Sequence, residues 1–292
     1  MKDYEKSVAN CYSTWGKTYY DEYYGDKAPY PPVHTELLRS LLKQAKVKNV
    51  LDAGCGPASF LRDIINEGIE LFGFDLTSEM VEEAKLIFEK NGLSPDNIWK
   101  GSILDKKSFI LPSGKAFKFD AVICSGVMPH ISERDEDEIF ENLLAAVKPG
   151  GLVALEARNQ LFSLFTMNRY SCHFIQEELI RLDKFNDKIK SSLEEMKQYF
   201  CMGSPPIRKG KENEPGYDEV LSRTHNPIVL KNKFEKIGLR EVNLKFYHFH
   251  ALPPIFSSAL GDSFVKESLK LEDPDDWRGH FMASAFFVVG KK

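Results

Sequence analysis

Residues 50 to 56 read V-L-D-A-G-C-G, an apolar run that breaks into a turn with glycines at Gly54 and Gly56. This stretch constrains the fold most, because a glycine turn behind a strand admits a ligand that a Cβ would exclude. A second short apolar run, Ile69 to Phe74, ends in Asp75, nineteen residues past Gly56. A carboxylate at the tip of a second strand is placed to take both hydroxyls of a ribose. Turn and acid together predict a nucleoside-bearing cofactor at the carboxyl edge of a parallel sheet.

The dinucleotide fingerprint calls for a third glycine where the helix packs on the strand, and serine stands there at Ser59. A pyrophosphate also prefers a turn without its own acid, yet Asp52 precedes the glycines. Two carboxylates around the turn suit a ligand that carries a positive charge. The signature resembles the first two motifs of the class I S-adenosylmethionine-dependent methyltransferases, whose cofactor bears a sulfonium and an ammonium. Further segments are similar to that family's and come in its order. G-S-I-L-D at 101 to 105 resembles the adenine-side motif, and F-D-A-V-I-C-S-G-V-M-P-H-I at 119 to 131 the fourth strand with its loop. L-L-A-A-V-K-P-G-G-L-V-A-L-E at 143 to 156 is similar to the helix, Pro-Gly-Gly turn and fifth strand. The resemblance implies an α/β fold with a doubly wound, mostly parallel seven-stranded sheet whose last strand is antiparallel.

A chain of 292 residues, 42% hydrophobic and 28% charged, has ample material for a buried core and the composition of a soluble globular protein. Its net charge of −4 provides no broad basic field, which argues against phosphate-driven nucleic-acid binding. Cysteines at 11, 55, 124, 172 and 201 are odd in number and lack C-x-x-C spacing. They read as reduced thiols, neither a disulfide frame nor a zinc site. The N-terminus has no apolar signal region and no run approaches a membrane span, so a cytoplasmic location without membrane contact is expected.

Four regions follow. Residues 1–35 are crowded with aromatics, and Tyr12, Trp15 and Tyr19 are spaced for one helix face, either docked on the core or serving as a lid over the cofactor. Residues 36–159 carry the cofactor-binding core. There, Ser78 is placed to cap one helix and Asn91-Gly92 to stop it, and the acid run E-R-D-E-D-E after Ser132 reads as a solvated helix start. Residues 160–226 form an insert that covers the substrate: an apolar first part, a long amphipathic helix or helix pair over 174–200 and a polar loop over 203–216. Residues 227–292 complete the sheet, with period-two alternation at 241–250 and a β-rich run at 282–290.

The resemblance assigns roles residue by residue. Gly54, Gly56 and the backbone of Cys55 approach the cofactor, Asp75 takes the ribose, and Asp52 orients the ammonium end. Leu76 and Met80 border the adenosine, Ser102 and Ile103 the adenine, and Ser125 the methionine part. If residues 1–35 serve as a lid rather than a docked helix, the hydroxyl of Tyr12 or Tyr19 is expected near the cofactor's carboxylate. Methyl transfer to an oxygen also needs a proton removed, for which histidine is suited near neutral pH. His130, just past the fourth strand, and His225, in R-T-H-N-P, are the candidates for that work. Glu156, Arg158 and Asn159 leave the fifth strand at the same edge and, with Arg223 and His248, are the candidate acceptor contacts. His248 and His250 lack an acid at ligand spacing, so no metal site is expected. The expected activity is methyl transfer to a small polar acceptor at oxygen, a sugar, sugar nucleotide or secondary metabolite, with S-adenosylhomocysteine as product. The alternatives are N- or carboxyl methylation of a small molecule, a non-catalytic cofactor-binding protein, and a nicotinamide oxidoreductase. Oligomeric state is not legible.

Overall fold

The computed structural model describes residues 1–15, 18–25, 28, 30–114, 117–180, 187, 191–192, 195–203, 216 and 219–292. Seven strands form one sheet: β1 (Asn49–Ala53), β2 (Glu70–Asp75), β3 (Ile98–Lys100), β4 (Phe119–Cys124), β5 (Val147–Arg158), β6 (Arg240–Phe249) and β7 (Ala283–Lys291). Their order across the sheet is β3-β2-β1-β4-β5-β7-β6. The first five pair in parallel, in register such as Asp52 with Gly73 and Leu51 with Val122. Val50, Leu51, Phe72, Phe74, Val122 and Ile123 are all buried, the near-continuous apolar runs that a sheet covered on both faces demands.

The last strand reverses direction. Gly150 N–H donates to Lys292 at 2.8 Å, while Asn159 N–H donates to Ser284 at 2.9 Å, so β7 runs antiparallel to β5. The Pro149-Gly150-Gly151 segment, expected as a turn before the fifth strand, lies inside β5. It is absorbed as an irregularity, the register jumping from Phe119–Val147 to Ala121–Leu152.

The chain divides into two compact units, Met1–Arg158 with Arg208–Lys245 and Phe287–Lys292, and Asn159–Ile207 with Phe246–Phe286. In the first, helices α1 (Asp3–Ser13), α2 (Tyr19–Tyr23), α3 (Val33–Gln44), α4 (Ser78–Lys90) and α5 (Glu136–Ala146) accompany the parallel strands. α4 stops at Asn91 and Gly92, the latter at φ +72°, and its N-cap is Thr77 rather than Ser78, whose hydroxyl instead accepts from Lys100 at 2.6 Å. Tyr12, Trp15 and Tyr19 do not share one helix, because α1 ends at Ser13 and α2 begins at Tyr19. Trp15, 1% exposed, is packed with Cys11, Met80 and Val220, and Tyr12, Tyr19 and Tyr23 close around them.

The second unit holds the short helix α6 (Arg169–His173) and a π-helical stretch, Phe174–Ile180. Of the amphipathic helix expected over 174–200, the described residues form the π-helical stretch and a 3-10 turn at Met196–Tyr199, while residues 181–186, 188–190 and 193–194, and the loop expected over 203–216 apart from its two end residues, lie outside the described residues. A buried polar knot organises the start of this unit: Asn168 Oδ1 accepts from Thr166 and from Tyr170 N–H, at 2.8 and 2.9 Å. His250 sits between Phe162 and Phe264, ring centroids 4.7 and 5.6 Å away. Among the described residues, no helix is long and apolar enough to cross a membrane.

Candidate active site

A pocket of about 740 Å³, part of it open to solvent, lies where four parallel strands end, and Gly54, Asp75, Gly101 and Ser125 mark those ends on its wall. Open parallel sheets place ligands at this edge because the loops there diverge from the strand order.

The glycine turn is fixed by sterics. Gly54 has φ +92°, and a Cβ there would fall 2.3 Å from Val127 Cγ2. Backbone from β1 and side chain from the β4 loop therefore meet with no room between them. Asp75 ties this turn to β2: its Oδ2 accepts Gly56 N–H at 2.9 Å and its Oδ1 accepts Thr77 N–H at 2.9 Å. Burial raises the Asp75 pKa, and the backbone amides of Thr77 and Gly56 hold it back.

Asp52, 3% exposed, stands behind the pocket wall rather than on it. Its Oδ1 is buried with no hydrogen-bond partner among the described residues. Burial, and then the neighbouring Asp75, pushes its pKa up to about 7. Cys55 is likewise behind the wall, its thiol turned to Gly56 O and its pKa raised by burial.

The side of the pocket beyond β2 is apolar. Phe74, Leu76, Met80 and Ile103 line it, with Val8 from α1. Sequence reading missed Tyr4, Glu5 and Val8, although Tyr4, Val8 and Tyr12 recur every four residues, the spacing of one helix face. α1 is held there at several points. Lys2 Nζ and Tyr4 Oη both donate to Asp135, each at 2.6 Å, and Ser102 Oγ donates to Glu5 Oε1. The acid run after Ser132 does open a helix, α5, but it is solvated only in part: Glu133, Asp137 and Glu138 are exposed, whereas Asp135 and Glu136 are buried.

At the other end, His130 lies on the wall, 4% exposed. Its Nδ1 donates to Leu221 O at 2.7 Å, so Nε2 is the acceptor, and the Tyr12 hydroxyl donates to it at 2.9 Å. Burial pulls its pKa down to about 4, against the opposing pull of the Leu221 carbonyl, so the ring is neutral at pH 7.

Of the expected site residues, Gly54, Gly56, Asp75, Leu76, Met80, Ser102, Ile103, Ser125, Tyr12, Tyr19 and His130 come together on this pocket. The expected acceptor contacts do not. The Glu156 carboxylate accepts from Ser125 Oγ and from Gly126 N–H, the latter at 2.7 Å, and so orders the β4 loop from behind. Arg158 donates to Ser222 Oγ at 2.8 Å. Asn159, 2% exposed, spends its amide on the carbonyls of Gly279, His280 and Ala283. Arg223 donates to Glu136 and to Ile131 O, at 2.8 and 2.9 Å, and His225 Nε2 lies 3.3 Å from the same Glu136. These two residues, expected to face an acceptor, lie against a buried acid instead. His248 belongs to the second unit, at φ +56° with its ring against Tyr247.

The lining is chemically selective. Among its described residues it includes two carboxylates, Glu5 and Asp75, and neither lysine nor arginine. A pyrophosphate would find no cationic side chain among these residues, whereas a ligand carrying a cation is matched in charge.

Residues 50–151 match the family model described as "Methyltransferase domain". Over 120 residues, 41% of this chain and 50% of the relative, the chain is 28% identical to a ubiquinone biosynthesis O-methyltransferase of Actinobacillus pleuropneumoniae. Over 166 residues, 52% of this chain and 53% of the relative, it is 25% identical to the tRNA N(3)-methylcytidine methyltransferase trm140 of Schizosaccharomyces pombe. The chain thus spans about half the length of these two curated relatives. Among solved structures, magnesium protoporphyrin IX methyltransferase from Synechocystis PCC 6803 with bound SAH superposes with a TM-score of 0.52 at 12% identity, covering 99% of this chain and 100% of that one. That likeness is one of fold.

Proposed function

We propose, for a chain that belongs through residues 50–151 to the class I S-adenosylmethionine-dependent methyltransferase family, the transfer of a methyl group to oxygen on a small polar acceptor. The observation that carries this reading is the pocket itself, two acids without a lysine or arginine around a glycine turn whose amide is bound by Asp75. The name of the Actinobacillus relative supports oxygen as the target.

S-adenosylmethionine, when bound, supplies a methyl group already activated by its sulfonium. The work left to the chain is placement, which can contribute on the order of 7–11 kcal/mol in favourable cases. In this reading Asp75 takes the ribose hydroxyls. Gly54 and Gly56 let the backbone close on the ligand, and Asp52 balances its positive end through the wall. Tyr12 and His130 stand at the end where an acceptor enters. A hydroxyl hydrogen-bonded to Tyr12 Oη passes its proton to Tyr12 as Tyr12 passes its own to His130 Nε2. A histidine this weakly basic takes the proton only as bond formation to carbon makes the hydroxyl strongly acidic. Sugars, sugar nucleotides and hydroxylated secondary metabolites are the acceptor classes proposed.

The test is a purified chain incubated with methyl-labelled cofactor and a panel of hydroxylated metabolites, with mass spectrometry for a gain of one methylene. Labelled product from the panel supports the reading. Transfer confined to RNA, which the relation to the tRNA enzyme brings into the panel, overturns the acceptor class. Calorimetric binding of NAD in place of S-adenosylhomocysteine overturns the whole.

A further inference from the structure

The strand order fixes how a nucleoside lies in this pocket. With Asp75 at the tip of β2 on the ribose, the Gly54 turn and the Ser125–Val127 loop lie to one side, because β1 and β4 follow β2 in the sheet. The tip of β3, Gly101 to Ile103, lies to the other. Phe74, which pairs with Trp99 of β3, and Leu76 and Ile103 make that β3 side apolar, so the base goes there and the charged end goes toward β1 and β4.

A purine in an apolar slot still needs its polar edge satisfied, since a buried unpaired amine is costly. The nearest acid in sequence, Asp105, does not serve. It is exposed, and its Oδ1 accepts Lys107 N–H at 2.9 Å, capping the turn that follows. The carboxylate beside Ser102 comes from the far end of the chain: Glu5 on α1, 5% exposed and on the pocket wall. Its two oxygens are each fixed once, Oε1 by Ser102 Oγ and Oε2 by Lys2 N–H at 2.6 Å. Each retains an acceptor site.

We propose that Glu5 is the base-recognising residue of this pocket, its carboxylate accepting the exocyclic amine of adenine. The proposal rests on reading the site as one for an S-adenosyl compound. It also gives α1 a direct part in cofactor choice: a base with an oxygen acceptor in place of that amine faces the Glu5 carboxylate and is repelled.

The experiment measures calorimetric Kd values of S-adenosylhomocysteine and S-inosylhomocysteine for the full chain and for Glu5→Gln. The wild type is expected to favour the adenine compound by about ten- to a hundredfold, the range for a hydrogen bond to a charged group. In Glu5→Gln the side-chain amide can donate to the inosine oxygen, so the ratio is expected to fall to within a few-fold of unity. A wild type that binds both compounds equally overturns the proposal without any variant. A folded Glu5→Gln that keeps the wild-type ratio also overturns it, leaving the S-adenosyl reading standing. Should Glu5→Gln not fold, Glu5→Asp, which keeps the charge but withdraws it from the base, is expected to weaken adenine binding and shrink the ratio; an unchanged ratio overturns the proposal. A wild type that binds neither compound removes the underlying reading itself.

Discussion

The Tyr12 hydroxyl donates to His130 Nε2 across 2.9 Å, because His130 Nδ1 is already committed to the Leu221 carbonyl at 2.7 Å. This bond joins the N-terminal helix to the loop after β4 on the pocket wall, where the proposed function has the acceptor enter. Tyr12→Phe keeps the ring against Trp15 and Tyr19, whose centroids lie 5.4 and 5.8 Å away, and removes only the donor. It is expected to lower stability by about 1 kcal/mol and kcat by about tenfold or more, with cofactor Kd within a few-fold of wild type. Asp75→Ala is expected to do the reverse, raising cofactor Kd by at least about tenfold. Equal loss of binding and turnover in both variants would contradict this division.

His130 is expected to stay neutral through the whole neutral range. Burial holds it at about 4, and His34 and His250 are held at about 4 by the same cause. A folded-state value below the unfolded value of about 6.5 means that the unfolded chain binds more protons. These three rings therefore destabilise the fold as pH falls from about 6.5 to about 4 and contribute no pH dependence above that window. Histidine ring NMR checks it: a His130 midpoint between 6 and 7 would show that the ring is not desolvated.

Asp52 has the opposite sign. Its carboxyl is raised to about 7 by burial and then by Asp75, so the folded chain binds the extra proton and loses stability as pH rises from 3.8 toward 7. Asp52→Asn removes that penalty and is expected to stabilise the ligand-free protein by about 4 kcal/mol at pH 8. The same change is expected to weaken binding of the cationic cofactor. Urea denaturation with calorimetry at pH 6 and 8 tests both halves; a destabilised, tight-binding variant contradicts the assignment.

Gly54 and Gly126 separate conformational strain from collision. Both have positive φ, +92° and +73°, but only at Gly54 does a Cβ meet another atom, 2.3 Å from Val127 Cγ2; nothing lies within 4 Å at Gly126. Gly126→Ala is expected to cost about 1 kcal/mol, and Gly54→Ala about 3 kcal/mol with loss of cofactor binding. Equal effects in chemical denaturation would mean that Val127 yields without cost.

Glu136, its side chain 3% exposed, is the hub of a charge cluster: Arg223 Nη1 at 2.8 Å, Lys233 Nζ at 2.7 Å and His225 Nε2 at 3.3 Å. Hydrogen bonds from these partners hold its pKa down to about 2 against burial. Removing the acid strands its partners, so Glu136→Ala is expected to destabilise by about 3 kcal/mol, toward the lower end because Arg223 and Lys233 still reach water. Thermal or urea unfolding measures it, and a loss under about 1 kcal/mol would assign this cluster to the solvent-screened class.

Much of the core was legible because its signals are local. The runs ending at Ala53, Asp75 and Cys124 become β1, β2 and β4, since apolar stretches too short for a helix, rich in β-branched and aromatic residues and bounded by a glycine turn or an acid, favour a buried strand. Gly54 with Asp75 could be read as a pair because the right-handed crossover between β1 and β2 brings their ends side by side. The acceptor contacts were not legible. Glu156, Arg158, Asn159, Arg223 and His225 are polar residues near the correct strand ends, yet their partners at 126, 222, 279 and 136 are distant in sequence.

The amino-acid order by itself determined the parallel strands, the glycine turn and the acid facing it, because steric and hydrophobic demands at those positions act within a few residues. Only the folded chain decided that α1 forms part of the pocket wall, that His130 is neutral and held by Tyr12, and that Glu136 claims Arg223 and His225. Those outcomes depend on burial and on partners from remote segments, and a charge or a hydroxyl has no fixed role until the groups around it have displaced water.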